Sequence, residues 1–201
     1  MKVQKVRDGA NARKYLLHQL SPGYEILTKL PKKIGDFALG SFFVILPDSV
    51  DANQLSDFGS EIPGLDWSVT TQLLGKIVKR FTRNPNCTVL LDDHTHSVSD
   101  PGWEEYKYKD RATFYDNELC WELKGPDSPQ NEIDDLIWDW LSFFPVSAFF
   151  CVSSSSERKK HLTDADVEDL AENLIGVAVD AFDGNSFVIW WREDLIPFPS
   201  E

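Results

Sequence analysis

The sequence predicts an α+β fold in which about four helices pack on a mainly antiparallel sheet. Two segments place apolar residues in alternation on either side of a turn, which is typical of β-hairpins. Other segments repeat apolar residues with the 3.6-residue period of an amphipathic helix. The chain has 201 residues, of which 42% are hydrophobic, and this composition can bury one sizeable core. We therefore expect a single domain spanning residues 1–201.

The first half of the chain contains two predicted helices and two predicted strands. A helix is expected over residues 10–20, and a strand over 37–46 ends at a proline, which cannot continue a central ladder. Residues 67–83 form the second helix, with apolar side chains on one face and Lys76, Lys79 and Arg83 on the other. A short buried strand over residues 86–91 follows it.

The second half begins and ends with a hairpin. The first is predicted over residues 111–123 and the second over 176–191, where Asp-Gly suits the positive φ angles of a type I′ turn. Between them we expect a helix over residues 129–144, a strand over 147–152 and a helix whose N-cap is Thr163. The last strand is apolar on both faces, which predicts a central strand covered from both sides.

Charge is unevenly distributed and excludes some functions. Residues 1–83 carry 12 basic and 8 acidic residues, whereas residues 84–201 carry 8 and 25, so the net charge is −13. An acidic surface repels phosphate backbones and would attract a basic protein, so we expect no nucleic-acid partner. No apolar run approaches the ~20 residues of a membrane span, and no secretory leader is evident. The three cysteines lack any pairing motif. These features predict a cytoplasmic protein without cofactors.

One tryptophan is placed unlike the others. In the helix predicted over residues 129–144, Trp138 lies about 140° from the middle of the apolar stripe and shares the outer face with Asp134 and Asp135. Tryptophan is enriched at the energetic centres of protein interfaces, and acidic neighbours would steer a basic partner. We therefore predict a partner-binding site at these three residues. The alternative is that another part of the chain covers Trp138.

A polar segment after the strand over residues 86–91 is the strongest candidate for chemistry. Residues 92–100 read DDHTHSVSD, and an extended backbone would project Asp92, His94 and His96 to one side. Carboxylate and imidazole are ligands for zinc, manganese or iron. The segment resembles the Asp-x-His-x-His-Ser…Ser-Asp-Gly motif of the polymerase-and-histidinol-phosphatase metal hydrolases. It lacks one residue of that pattern, and only His161 follows it. The alternative is a polar turn that caps the chain as it leaves the strand.

Three functions remain open from the sequence. The preferred hypothesis is a non-catalytic protein that uses its acidic surface to bind another protein, with a basic partner as one option and an inhibitor or immunity-type protein as one instance. The first alternative is a small metal-dependent hydrolase built on Asp92, His94 and His96. The second is a DNA mimic, in which acidic helices occupy a nucleic-acid-binding protein. The sequence does not define an oligomeric state.

Overall fold

A computed structural model describes residues 2–19, 37–55, 58, 67–93, 97–115, 118–123, 130–142, 148–153, 159–181 and 186–198. The elements in these ranges are, in chain order, β1 (Lys2–Val6), α1 (Ala10–Gln19), β2 (Ser41–Leu46), α2 (Trp67–Thr82), β3 (Cys87–Asp93), β4 (Ala112–Tyr115), β5 (Glu118–Leu123), α3 (Gln130–Ser142), β6 (Ala148–Ser153), β7 (His161–Leu162), α4 (Asp164–Glu172), β8 (Leu174–Ala181) and β9 (Ser186–Trp191).

The strands form one sheet in the order β1-β2-β9-β8-β6-β3-β5-β4-β7. Every neighbouring pair is antiparallel except β4 and β7, which are parallel. The four helices of the described chain pack on this sheet, so the predicted α+β fold with a mainly antiparallel sheet is confirmed.

The sheet is covered on both faces, and each face has its own apolar core. Helices α2 and α3 cover one face, which we call the α2/α3 face, together with Phe198, which lies near the C-terminus. Helices α1 and α4 cover the other, the α1/α4 face. Strand β9 divides its side chains between them: Phe187, Ile189 and Trp191 enter the first core, and Val188 and Trp190 the second. The predicted central strand is thus confirmed.

Several elements differ from the sequence prediction, and three strands show the differences that have a clear physical reason. Strand β2 begins at Ser41 rather than at residue 37, because Phe37 and Gly40 have positive φ angles that a strand cannot accommodate. Strand β3 extends to Asp93, two residues further than predicted. Strand β1 was not predicted, because its lysines interrupt the apolar alternation. Lysine is common on such an edge strand, where it discourages pairing with other chains.

Helix α4 is held at its start by a capping box. The Thr163 hydroxyl accepts from the Asp166 backbone N–H, and the Asp166 carboxylate accepts in return from the Thr163 N–H at 2.8 Å. Lys159 also bonds to Asp166. The bond from Lys159, followed by those from Thr163, lowers the pKa of Asp166 to about 2. The charged form of Asp166 therefore stabilises the folded chain.

Replacing Asp166 with Asn should reveal this contribution through its pH dependence. Asparagine keeps a side-chain oxygen that can accept from the Thr163 N–H, but it loses the negative charge that pairs with Lys159. Because the folded-state pKa lies below the ordinary value of 3.8, the stabilisation is complete above about pH 5 and disappears toward pH 2. We expect Asp166→Asn to lower the free energy of unfolding by about 1 kcal/mol at pH 7. Denaturant titrations at several pH values should show the two proteins converging near pH 2. A difference that persists unchanged at pH 2 would contradict this account.

A close contact between β8 and β9 provides a second test. Gly176 lies opposite Trp191 in the ladder. A Cβ atom on Gly176 would lie 1.9 Å from Cε3 of that indole, which is fully buried and cannot move aside. Gly176→Ala should therefore cost about 1–3 kcal/mol of unfolding free energy, the usual cost of overpacking.

Gly102 is the matched control for that substitution. It has a positive φ of 92°, and nothing lies within 4 Å of a Cβ placed there. Gly102→Ala tests backbone strain without overpacking and should cost about 1 kcal/mol. Both free energies of unfolding are measured in urea. Equal losses in the two variants would mean that the contact with Trp191 does not restrict the size of the side chain at position 176.

Candidate functional site

Helix α3 presents an apolar face to the sheet and a polar face to the surface. Ile133, Leu136 and Ile137 are almost completely buried in the core that α2 and α3 share. Trp138 lies on the outward side and is 47% exposed. The structure therefore shows Trp138 at the surface, as the helical period predicts. The side chains of Trp140 and Leu141, which the sequence assigns to the inner face, lie outside the described residues.

Asp134 and Asp135 flank Trp138 one helical turn earlier, and both form ion pairs with lysines of the same chain. Lys79 Nζ of α2 lies 3.0 Å from Asp134 Oδ2. Lys107 Nζ lies 3.0 Å from Asp135 Oδ2 and 2.9 Å from the Tyr108 hydroxyl. The Tyr108 hydroxyl and then Asp135 raise the pKa of Lys107 above its ordinary value. Both aspartates are thus in ion pairs within the fold, which the sequence did not predict.

Helix α2 lies beside α3 on the same face of the sheet and contributes the opposite charge. Lys76 and Arg80 are exposed on its outer side. A third acid of α3, Glu132, is 3.6 Å from Arg111. Among the described residues, the surface around Trp138 therefore combines cations with anions, rather than the purely acidic flank expected from α3 alone.

The predicted metal cluster is only partly within the described residues. Asp92 is the sixth residue of β3 and pairs with Cys120 of β5. The side chain of Asp92 and all of residues 94–96, including His94 and His96, lie outside the described residues. Among the residues that are described, no three His, Cys, Asp or Glu side chains are grouped to hold a metal ion.

Asp93 is a buried carboxylate that the sequence analysis did not single out. Because side chains alternate along β3, it enters the α2/α3 face, where its Oδ2 atom accepts from Trp121 Nε1 at 2.6 Å. Its position two residues after Leu91 and four after Val89, on the same face of the strand, was the signal in the sequence that it would be buried. Seven residues further along the chain, Asp100 accepts from the Ser97 N–H at 2.6 Å. Both carboxylates have structural partners.

Comparisons with known proteins do not assign the chain to a family. Neither the family models, nor the curated protein sequences, nor the solved structures contain a match. Within the described ranges, no helix is both long and apolar enough to cross a bilayer.

The exposure of Trp138 can be tested by stability. Because about half of this side chain is already in contact with water, Trp138→Ala should cost less than about 1 kcal/mol, as surface substitutions do. Trp121→Ala is the matched comparison, since that indole is fully buried and bonded to Asp93. It should cost roughly 3–5 kcal/mol. Equal losses in urea titrations of the two variants would contradict the outward position of Trp138.

Proposed function

We propose that this protein is a non-catalytic binding protein whose contact surface is centred on Trp138. The observation that carries the proposal is the 47% exposure of this indole on the outer side of α3. Tryptophan residues contribute disproportionately to binding where a partner removes them from water. An inhibitor or immunity-type protein would use such a surface.

The rim of this surface has the character of an interface. Lys79–Asp134 and Lys107–Asp135 border the indole with paired charges. Polar rims around an apolar centre are common in protein–protein contacts. Because both aspartates are already in ion pairs, they attract a basic partner less strongly than two free carboxylates would. Long-range attraction for one would come instead from the net charge of −13 and would weaken at high ionic strength.

The proposal is tested by capturing partners from the native cell with immobilised wild-type and Trp138→Ala proteins. Leu195→Ala is the matched control, because Leu195 is a large apolar residue of similar exposure, 52%, outside α3. We expect one protein to bind wild type and Leu195→Ala but to be lost from Trp138→Ala. Purified partner should then bind Trp138→Ala at least tenfold more weakly in calorimetry. Equal affinity for wild type and Trp138→Ala would overturn the proposal.

A further inference from the structure

Charge is completely segregated between the two helices on the α2/α3 face. The sequence of α2, WSVTTQLLGKIVKRFT, contains three basic residues and no acidic one. The sequence of α3, QNEIDDLIWDWLS, contains four acidic residues and no basic one. A basic row and an acidic row therefore run side by side across one surface, with Trp138 on the acidic row.

The two helices run in opposite directions, which fixes the residues that lie level with each other. The end of α2 and the start of α3 both connect to the end of the sheet that carries Cys87 and Leu123. The Lys79–Asp134 ion pair shows that these two residues lie at the same level, that is, at the same position along the helix axes. One helical turn further along α3 is Trp138, and nearly the same distance back along α2 is Lys76. Trp138 and Lys76 therefore occupy the same level.

Two cations of the basic row have no ion-pair partner among the residues that the structure describes. Lys76 and Arg80 are exposed, and within the described residues neither forms an ion pair. An occupant of this surface must therefore place carboxylates over α2. It must also offer cations to α3, where the carboxylates of Glu132, Asp134 and Asp135 lie in partly exposed ion pairs and can accept further donors. A basic row matched to an acidic row is what a second copy of the same surface supplies.

We propose that the occupant of the Trp138 surface is a second copy of this chain, related by a two-fold axis parallel to α2 and α3. The inference rests on the proposed binding role of Trp138 and names its partner. A two-fold rotation about such an axis places α2 of each copy over α3 of the other. It leaves positions along the axis unchanged, so the level relationships are retained across the interface. The contact closes on itself, as isologous dimers do.

This arrangement gives Trp138 a specific counterpart. Because Trp138 and Lys76 share a level, the indole of one copy faces Lys76 of the other. A lysine ammonium over an indole is stabilising, and more so when the contact is dry. The same levels bring Asp134 and Asp135 toward Lys79 and Arg80 of the second copy, so that both rows are neutralised.

The net charge of −13 does not prevent this pairing. Five of the acidic residues belong to α4, which lies on the opposite face of the sheet from α2 and α3. Charges separated by more than about 8 Å are largely screened at physiological ionic strength. Contacts between the two rows therefore dominate the interaction at this surface.

Analytical ultracentrifugation of the purified chain over a range from 1 to about 200 µM tests the proposal. Wild type should sediment as a dimer at the upper concentrations. Trp138→Ala should raise the dissociation constant at least tenfold, in line with a central interface tryptophan. Glu172→Lys, an exposed change on α4, is the control and should leave the dimer intact.

Charge reversal gives the sharper test. One variant carries Lys76→Glu and Arg80→Glu, which makes the α2 row acidic. The other carries Glu132→Lys and Asp135→Lys, which makes the α3 row basic. Each variant alone should be monomeric, because its rows repel their counterparts, whereas an equimolar mixture should form a heterodimer. Thermal melts of each variant alone establish that it is folded. If the second variant does not fold, the first variant is mixed with wild type. The proposal is supported if the first variant forms no dimer of its own while the wild-type dimer persists in the mixture.

Three results would overturn it: a wild-type chain that is monomeric throughout, a dimer that Trp138→Ala does not weaken, or folded reversal variants whose mixture stays monomeric. The proposed binding role of Trp138 can be distinguished from the proposal that its partner is a second copy. A monomeric wild type that still captures a different protein through Trp138 would remove the second copy as occupant and leave the proposed function standing.

Discussion

The architecture depends on covering both faces of strand β9. Its alternating side chains are buried in two different cores, so neither helical layer can be removed without exposing large aromatic groups of this strand to water. Trp191 shows how tight the fit is. Its indole lies against Gly176 of β8, stacks on Phe81 of α2 at 4.1 Å and donates to the Ile196 carbonyl at 2.7 Å. The sheet, a helix and the C-terminal segment therefore meet at one side chain.

The candidate binding surface follows from the order of strands in the sheet. Helix α2 precedes β3 and helix α3 precedes β6, and these two strands are neighbours. The two helices therefore lie side by side on the same face, although about 50 residues of chain separate them. This adjacency brings the basic first part of the sequence against the acidic second part. The Lys79–Asp134 ion pair joins the two, and the segregated charge of the sequence becomes a pattern across one surface.

The sequence predicted what local periodicity determines and missed what depends on distant contacts. The outward position of Trp138 follows from the helical period alone. The edge strand β1 was not predicted, because its two lysines interrupt the alternation of apolar and polar residues by which a strand is recognised. The pairing of Asp134 with Lys79 could not be predicted, because it requires knowing that β3 and β6 are neighbours. Asp93 was assigned to a loop because β3 extends further than its apolar run.

The sheet order also has a consequence for how the chain is made. Strand β2 pairs with β9, and Ser41 meets a residue, Trp191, that is synthesised 150 positions later. Strand β1 pairs only with β2 in the described sheet. The pair formed by β1 and β2 therefore has no other strand to join until β9 has left the ribosome. At common translation rates this interval is roughly 10–30 seconds. Pairing over such separations also makes folding slow. During synthesis, Phe42, Val44 and their neighbours remain without the strand with which they finally pair. An unpaired apolar strand of this kind is prone to aggregation for that interval.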